Sequence, residues 1–304
     1  MLFIITKIIK AMWVIGAAYF VLLILLAILN ISIAFDLPPF PSIFYLIPFL
    51  VLFVFLDIDF WVRLTQLGGC LYTKYANPAK IPSRDNYVCK VDYILPFTGK
   101  WVVFKGGDHE GISYSWGITS QRYAYDFIIM DDEGKSSAGD SKNLKSYYCY
   151  GQDVISPADV VVVKVSNKHK DSRVDGEKVY CDTWDIRGNF VVIKHADKEY
   201  SVSTHLIPGS ITVRKGDKVK QGQKLAKCGN SGTSTAPHLH FQLQSGKSFF
   251  ASVGLPISFV NIDAREEANY SLAYPYSSQK ELQTAGKDGR VYIYRGLEVM
   301  NVGM

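Results

Sequence analysis

The stretch Gly229-Asn-Ser-Gly-Thr-Ser-Thr-Ala-Pro-His-Leu-His-Phe-Gln242 decides how the rest of the chain is interpreted. It contains His238 and His240 with a single leucine between them. Residues two apart on a β-strand point to the same face, so both imidazole rings are expected to project into one space. Neutral imidazole is a good zinc ligand, and a rigid strand fixes its position. The pair alone suits either a metal site or a surface or hydrogen-bonded histidine pair, and the rest of the chain decides between them.

The composition restricts the class of protein. The chain has 304 residues, of which 48% are hydrophobic and 20% are charged, and its formal net charge is +5. The small basic surplus fits an anionic surface such as a cell wall or a membrane, and it is too small to indicate nucleic-acid binding. The five cysteines form no Cys-x-x-Cys motif, so neither a cysteine zinc site nor a thioredoxin-type motif is expected.

The first 71 residues are predicted to form a transmembrane region. Residues 11–35 contain no charged side chain, and Lys7 and Lys10 precede them. A helix needs about 20 apolar residues to cross a bilayer, so this run predicts a first span. Residues 43–62 predict a second span, with a re-entrant or interfacial segment as the alternative.

The remainder of the chain has the pattern of a soluble β protein. A polar connector is predicted over 72–92, a β domain over 93–263, and a C-terminal extension over 264–304 with a short helix at 278–284 and a strand at 290–294. Short apolar runs separated by turn residues predict the strands, which are 101–104, 123–130, 160–165, 190–194, 200–205, 223–228 and 239–243.

Further polar residues lie on these predicted strands. Asp126 is on an apolar strand, where a carboxylate is costly unless it is paired or bound to a metal. His205 ends the second strand of a predicted hairpin whose tip is at 196–198. Together with His238 and His240, these residues are the candidate site.

In this order and spacing, the residues resemble the LytM/lysostaphin type of zinc metallopeptidase, which cuts peptide cross-links of bacterial cell walls. The resemblance covers about residues 123 to 243, and the opening stretch is its most specific part. It implies a mostly antiparallel β fold with a groove and a bound Zn²⁺ ion. It also implies that Asp126 and His240 are metal ligands, while His205 and His238 serve the water and the oxyanion.

One feature departs from that family. Its first ligand is usually a histidine four residues before the aspartate, and this position is Arg122, which stays charged and cannot ligate. His109 is the only histidine before Asp126, so it is predicted to supply the third ligand, with Tyr114 binding as a phenolate as the alternative.

The predicted function is a membrane-anchored zinc endopeptidase acting on the peptides of peptidoglycan. The alternative is a degenerate domain that binds the wall or a partner protein without hydrolysis. The predicted location is the cell membrane, multi-pass, with the peptidase domain outside the cytoplasm. Arg63 and Lys74 after the second span favour a cytoplasmic domain instead, which would permit a peptidase that does not act on the wall.

Overall fold

The computed structural model describes residues 58–76, 81–174, 185–273 and 289–303. The chain divides into two compact units, residues 1–64 and 65–304. The predicted span at 11–35, most of the one at 43–62 and the predicted helix at 278–284 lie outside the described residues.

The first described element is helix α1, Ile58–Ala76, which overlaps the end of the second predicted span. Its sequence includes Asp59, Arg63 and Lys74, and these charges would be costly in a bilayer core. In the described ranges, no helix is both long and apolar enough to cross a membrane. This finding contradicts the predicted location as a multi-pass membrane protein.

The rest of the described chain is mostly β. Its short helical elements are a 3-10 turn at Leu144–Ser146 and helix α2, Tyr270–Ala273. The strands are β1 Trp101–Lys105, β2 Tyr125–Ile128, β3 Asp153–Ile155, β4 Val160–Ser166, β5 Asn189–Ala196, β6 Glu199–Leu206, β7 Lys218–Val219, β8 Lys224–Lys227, β9 Leu239–Gln244, β10 Gly254–Leu255, β11 Ile262–Glu266 and β12 Leu297–Asn301.

Ten of these described strands form one antiparallel sheet. Their spatial order is β11-β12-β1-β2-β9-β6-β5-β4-β7, with β10 also paired to β9, while β3 and β8 form a separate pair. The prediction of a mostly antiparallel β fold is confirmed. The strand predicted at 290–294 is wrong: Val291 forms only an isolated bridge with Phe259, and the strand of this region is β12.

The central strand β9 explains where the site lies. Leu239, Phe241 and Leu243 alternate along it and are buried in the hydrophobic core. The residues between them, His240 and Gln242, are equally buried although they are polar. Buried polar side chains need partners, and those on this face of β9 find them in one another and in the neighbouring strand and loop.

Candidate metal centre and active site

Three neighbouring strands bring the predicted site residues together. On β2 and β9, Asp126 lies directly opposite His240. On β6 and β9, Thr204 lies opposite His240, which places His205 one residue further along the same edge of the site. Asp126, His205 and His240 are buried, while the side chain of His238 keeps 16% of its surface exposed.

The centre of the site is a triangle of three atoms. Asp126 Oδ1 lies 3.0 Å from His240 Nδ1 and 3.0 Å from the hydroxyl oxygen of Tyr114. The same hydroxyl lies 3.1 Å from His240 Nδ1. His238 Nε2 lies 3.7 Å from Asp126 Oδ1, just outside the triangle.

A chain of side-chain amides fixes the tautomer of His240. Gln242 uses its Nε2 hydrogens on the Ser120 carbonyl at 3.0 Å and on Gln244 Oε1 at 2.6 Å. Its Oε1 must therefore accept a hydrogen from His240 Nε2, 3.0 Å away. In neutral His240 the proton is thus on Nε2, and Nδ1 presents a lone pair to Asp126. Such outer partners orient ligating histidines in metal sites.

The other two histidines are held through the opposite ring nitrogen, Nδ1. His205 Nδ1 is 2.7 Å from the Ser231 carbonyl, and His238 Nδ1 is 2.8 Å from the Ala236 carbonyl. A carbonyl oxygen can only accept, so each Nδ1 carries the hydrogen and each Nε2 is left to accept a proton. The ring centroids of His205 and His238 are 4.7 Å apart, so the two rings border the same small space.

The backbone of His205 is itself unusual. Its φ angle is +61°, a region that non-glycine residues adopt rarely. Such strained positions cluster at functional sites, where the surrounding structure maintains them. Here the Arg187 carbonyl accepts from the His205 backbone N–H at 3.0 Å, and the ring is held by Ser231.

Glycines allow the quoted loop to reach the site. Gly232 has a φ angle of +85°, and a Cβ there would lie 2.4 Å from the backbone nitrogen of Gly188. A Cβ on Gly229 would lie 2.6 Å from the backbone nitrogen of Ile207. Only glycine permits these close backbone approaches, which place Ser231 and Ala236 behind the two histidines.

The charges of the site act against one another. Burial alone would raise the pKa of Asp126, but His238, His240 and Lys105 outweigh burial and hold the pKa well below its usual range. Burial lowers the pKa of His205 well below its usual value, and the neighbouring His238 and His240 lower it further. Burial also lowers the pKa of His238, partly offset by Asp126. The site therefore favours an Asp126 carboxylate beside neutral His205 and His238 imidazoles.

Tyr114 was the residue that sequence reasoning placed second to His109. The imidazole Nδ1 of His109 is 2.8 Å from Asp108 Oδ1, and its side chain is 47% exposed. None of the contacts described for it is with Asp126 or His240. Arg122, at the position of the usual first ligand, donates from Nε to the Trp116 carbonyl at 3.1 Å and stacks on the Trp116 ring.

A groove leads away from the site. Asp126 and His238 line a cavity of about 640 Å³ together with residues 134–137 and Tyr147. Lys105 and Lys135 also line it, and the Lys135 ammonium is ion-paired with Glu133. A cavity of this size suits a short peptide segment, and Lys105 favours a negatively charged group.

The site was tested for its fit to a metal ion. In the described ranges, no group of three or more His, Cys, Asp or Glu side chains could hold a metal. Two such ligands, Asp126 and His240, do face one another, and their facing atoms are both acceptors when His240 is neutral. A cation between them would remove that repulsion, so the residues fit a metal ion whose third protein donor is of another type.

Residues 143–251 match peptidase family M23. This part of the chain is therefore similar to the domain of peptidase family M23. The matched range includes His205, His238 and His240, while Asp126 and Tyr114 precede it. The resemblance inferred from the sequence is confirmed at this level.

Individual relatives match over limited lengths. A peptidoglycan DD-endopeptidase of Vibrio cholerae, ShyA, is 41% identical over 69 residues, which are 23% of this chain and 16% of that protein. The murein hydrolase activator NlpD of Salmonella dublin is 29% identical over 154 residues, which are 50% of this chain and 36% of that protein. The chain thus spans 16% of the length of ShyA and 36% of the length of NlpD.

Among solved structures, the catalytic domain of lysostaphin from Staphylococcus simulans aligns with 58% of this chain and 95% of that domain. The sequence identity is 21% and the TM-score is 0.28.

Proposed function

We propose that the domain similar to family M23 is a zinc-dependent endopeptidase that cleaves the peptides of peptidoglycan. The observation that carries this proposal is the pair of acceptor atoms, Asp126 Oδ1 and His240 Nδ1, facing each other at 3.0 Å. Two free imidazole nitrogens, those of His205 and His238, adjoin this pair. A carboxylate and an imidazole as ligands, beside two histidines that can accept protons, suit metal-assisted hydrolysis.

Each residue has a distinct role in this proposal. When bound by Asp126 and His240, zinc would activate a water and polarise the peptide carbonyl. His238 Nε2 would accept the proton of the attacking water, because its Nδ1 hydrogen is committed to Ala236. His205 Nε2, held by Ser231 in the same way, would donate to the oxyanion once protonated.

The groove supports a substrate that carries negative charge. The Lys105 ammonium lies 5.7 Å from the centre of the Tyr114 ring, and its charge lowers the pKa of both Asp126 and His238. Lys105 would therefore attract a carboxylate close to the reacting bond. Stem peptides of cell walls carry such carboxylates, and ShyA is by name a peptidoglycan endopeptidase.

The experiment is zinc analysis of the full chain together with digestion of purified peptidoglycan. We expect close to one zinc per chain and new peptide ends that disappear when a chelator removes the metal. Zinc without new ends would contradict the proposed substrate, and the absence of both would contradict the enzyme.

A second candidate is an activator that binds a wall hydrolase without hydrolysing peptides itself. It is favoured by Arg122, which stands where the family's first ligand is expected and stacks on Trp116 instead. NlpD is by name a murein hydrolase activator. The same digest separates the candidates, because an activator would release no new ends alone but would accelerate digestion by an added wall hydrolase.

A further inference from the structure

We propose that Tyr114 is the third protein ligand of the metal and binds as a phenolate. The proposal rests on the proposed zinc function. Tyrosine oxygen is a hard, anionic donor like carboxylate oxygen, and zinc accepts oxygen and nitrogen donors together. The metal would then be held by one oxygen from a loop, one from β2 and one nitrogen from β9.

The distances fit this donor set. A tetrahedral zinc with bonds of about 2.0–2.1 Å keeps its donor atoms about 3.3 Å apart. The three edges of the triangle formed by Tyr114, Asp126 and His240 are 3.0, 3.1 and 3.0 Å. An ion would need to spread the triangle by only a few tenths of an ångström.

The hydrogens of the triangle point to the same conclusion. With His240 neutral and its Nε2 donating to Gln242, the only hydrogen within the triangle is that of the Tyr114 hydroxyl. One hydrogen cannot satisfy three contacts between lone pairs. A buried acceptor that faces another acceptor is unfavourable, and a cation coordinated by all three atoms relieves every contact at once.

The loop that carries Tyr114 is built to hold it there. The hydroxyl of Ser113 donates to the Arg122 carbonyl at 2.6 Å, and the hydroxyl of Ser115 donates to the Gln121 carbonyl at 2.6 Å. Both neighbours of Tyr114 are therefore fixed to the segment that leads into β2. Gln242 also donates to the Ser120 carbonyl, which ties this loop to the strand of His240. Such support is what a precise ligand position requires.

The Tyr114 side chain is 45% exposed, while its hydroxyl lies against the buried Asp126 carboxylate. On coordination the O–H bond breaks, its proton passes to solvent, and the oxygen electron pair forms the bond to the metal. The charge of the ion offsets the repulsion between the phenolate and Asp126.

The test compares Tyr114→Phe with Tyr148→Phe in the full chain. Tyr148 is a matched control, because its hydroxyl also donates to an aspartate, Asp131, at 2.8 Å, but away from the histidines. Zinc affinity is measured by competition with a chelator. Losing only the outer partners of ligands typically lowers metal affinity about 10–100-fold, so we expect Tyr114→Phe to lower it by at least about 100-fold. Tyr148→Phe should leave it unchanged.

A spectroscopic measurement makes the assignment direct. Adding zinc to the wild-type chain should produce the ultraviolet difference spectrum of a tyrosinate, and Tyr114→Phe should abolish it. Tyr114→His, which installs the family's usual donor type, should bind zinc without that spectrum.

The outcomes separate two failures. Wild-type zinc binding with neither a tyrosinate signal nor a loss in Tyr114→Phe overturns the role of Tyr114 and leaves the zinc site standing. If His109→Ala loses zinc in the same assay, the third ligand is His109. No zinc binding by the wild type overturns the proposed function and this proposal together.

Discussion

Each end of strand β6 adjoins a cluster around a buried carboxylate. The two clusters contain the same kinds of residue but differ in the number of hydrogen-bond donors that they offer to it. At the start of β6, the fully buried Glu199 carboxylate accepts from the hydroxyls of Tyr87 and Tyr93 and from the backbone N–H of Lys90. Toward its end, near His205, Asp126 meets Tyr114 and His240, and with His240 neutral the one hydroxyl hydrogen faces two acceptor atoms.

The difference distinguishes a satisfied cluster from the proposed metal site. Burial and Glu199 both raise the pKa of Tyr87 and Tyr93, so these tyrosines remain donors and the carboxylate is fully satisfied. The cluster joins the segment before β1 to the β5–β6 hairpin and needs nothing further. The cluster of Asp126 lacks donors, and a deficit of hydrogens in a buried site favours a cation.

The largest expected effects come from the histidines. We expect His240→Ala to remove both zinc and hydrolysis, because its Nδ1 is a proposed ligand. His238→Ala and His205→Ala should retain most of the zinc while kcat falls by about 10²–10⁴-fold, the usual range for an acid–base group. Zinc content and turnover of the three variants are measured side by side.

His169→Ala is the control for that series, because His169 contacts Asn189 through its backbone. It should change neither zinc content nor turnover. If His238→Ala lost zinc while His240→Ala retained it, the ligand assignment would be reversed. Unchanged hydrolysis in all three site variants would eliminate the enzyme proposal.

The next prediction breaks the satisfied cluster. Glu199→Gln places an amide N–H against hydroxyl donors, and hydrogen bonds to a charged group contribute about 1.5–3 kcal/mol each, so we expect a loss of about 2–4 kcal/mol in unfolding free energy. Zinc affinity should not change. Asp126→Asn should cost less stability, because its amide can donate to His240 Nδ1, yet it should abolish zinc binding. Urea unfolding and chelator competition measure both quantities, and equal stability losses would refute the comparison.

Local sequence patterns predicted much of this arrangement. The alternation Leu239, His240, Phe241 indicated a strand with a core face and a polar face, and the structure has both. Asp126 on an apolar strand indicated a carboxylate that needed a partner, and it lies opposite His240. These inferences succeeded because a two-residue period fixes the direction of a side chain in any β-sheet.

Tyr114 could not be ranked from the sequence. It reaches the site from an irregular loop whose shape depends on the Ser113 and Ser115 hydroxyls, and such bonds leave no periodic pattern. Strand β12 was misplaced for a related reason, since its pairing with β1 and β11 joins segments far apart in the chain. Non-local pairing depends on tertiary packing, which a local pattern does not contain.

The smallest effect is a pH dependence at the satisfied end of β6. His195 packs edge-on against Tyr93 at 4.9 Å between ring centroids, its Nε2 bonds to the Ser201 hydroxyl at 2.7 Å, and its Nδ1 is buried without a partner in the described structure. Burial lowers the pKa of His195 from 6.5 to about 3. Between these values the unfolded chain binds a proton that the folded chain does not, so stability falls as the pH falls through this window. Above pH 6.5 the contribution disappears. One such group changes the unfolding free energy by at most about 1.4 kcal/mol per pH unit.

His195→Gln keeps a polar partner for Ser201 but cannot titrate, so its unfolding free energy should decline less steeply between pH 6 and pH 4, a range of about two units chosen inside that window. Part of the slope should remain, because burial lowers the pKa of His205 and His238 in the same direction. Urea unfolding at several pH values measures the slopes, and identical slopes in the two proteins would show that His195 is charged in the folded chain.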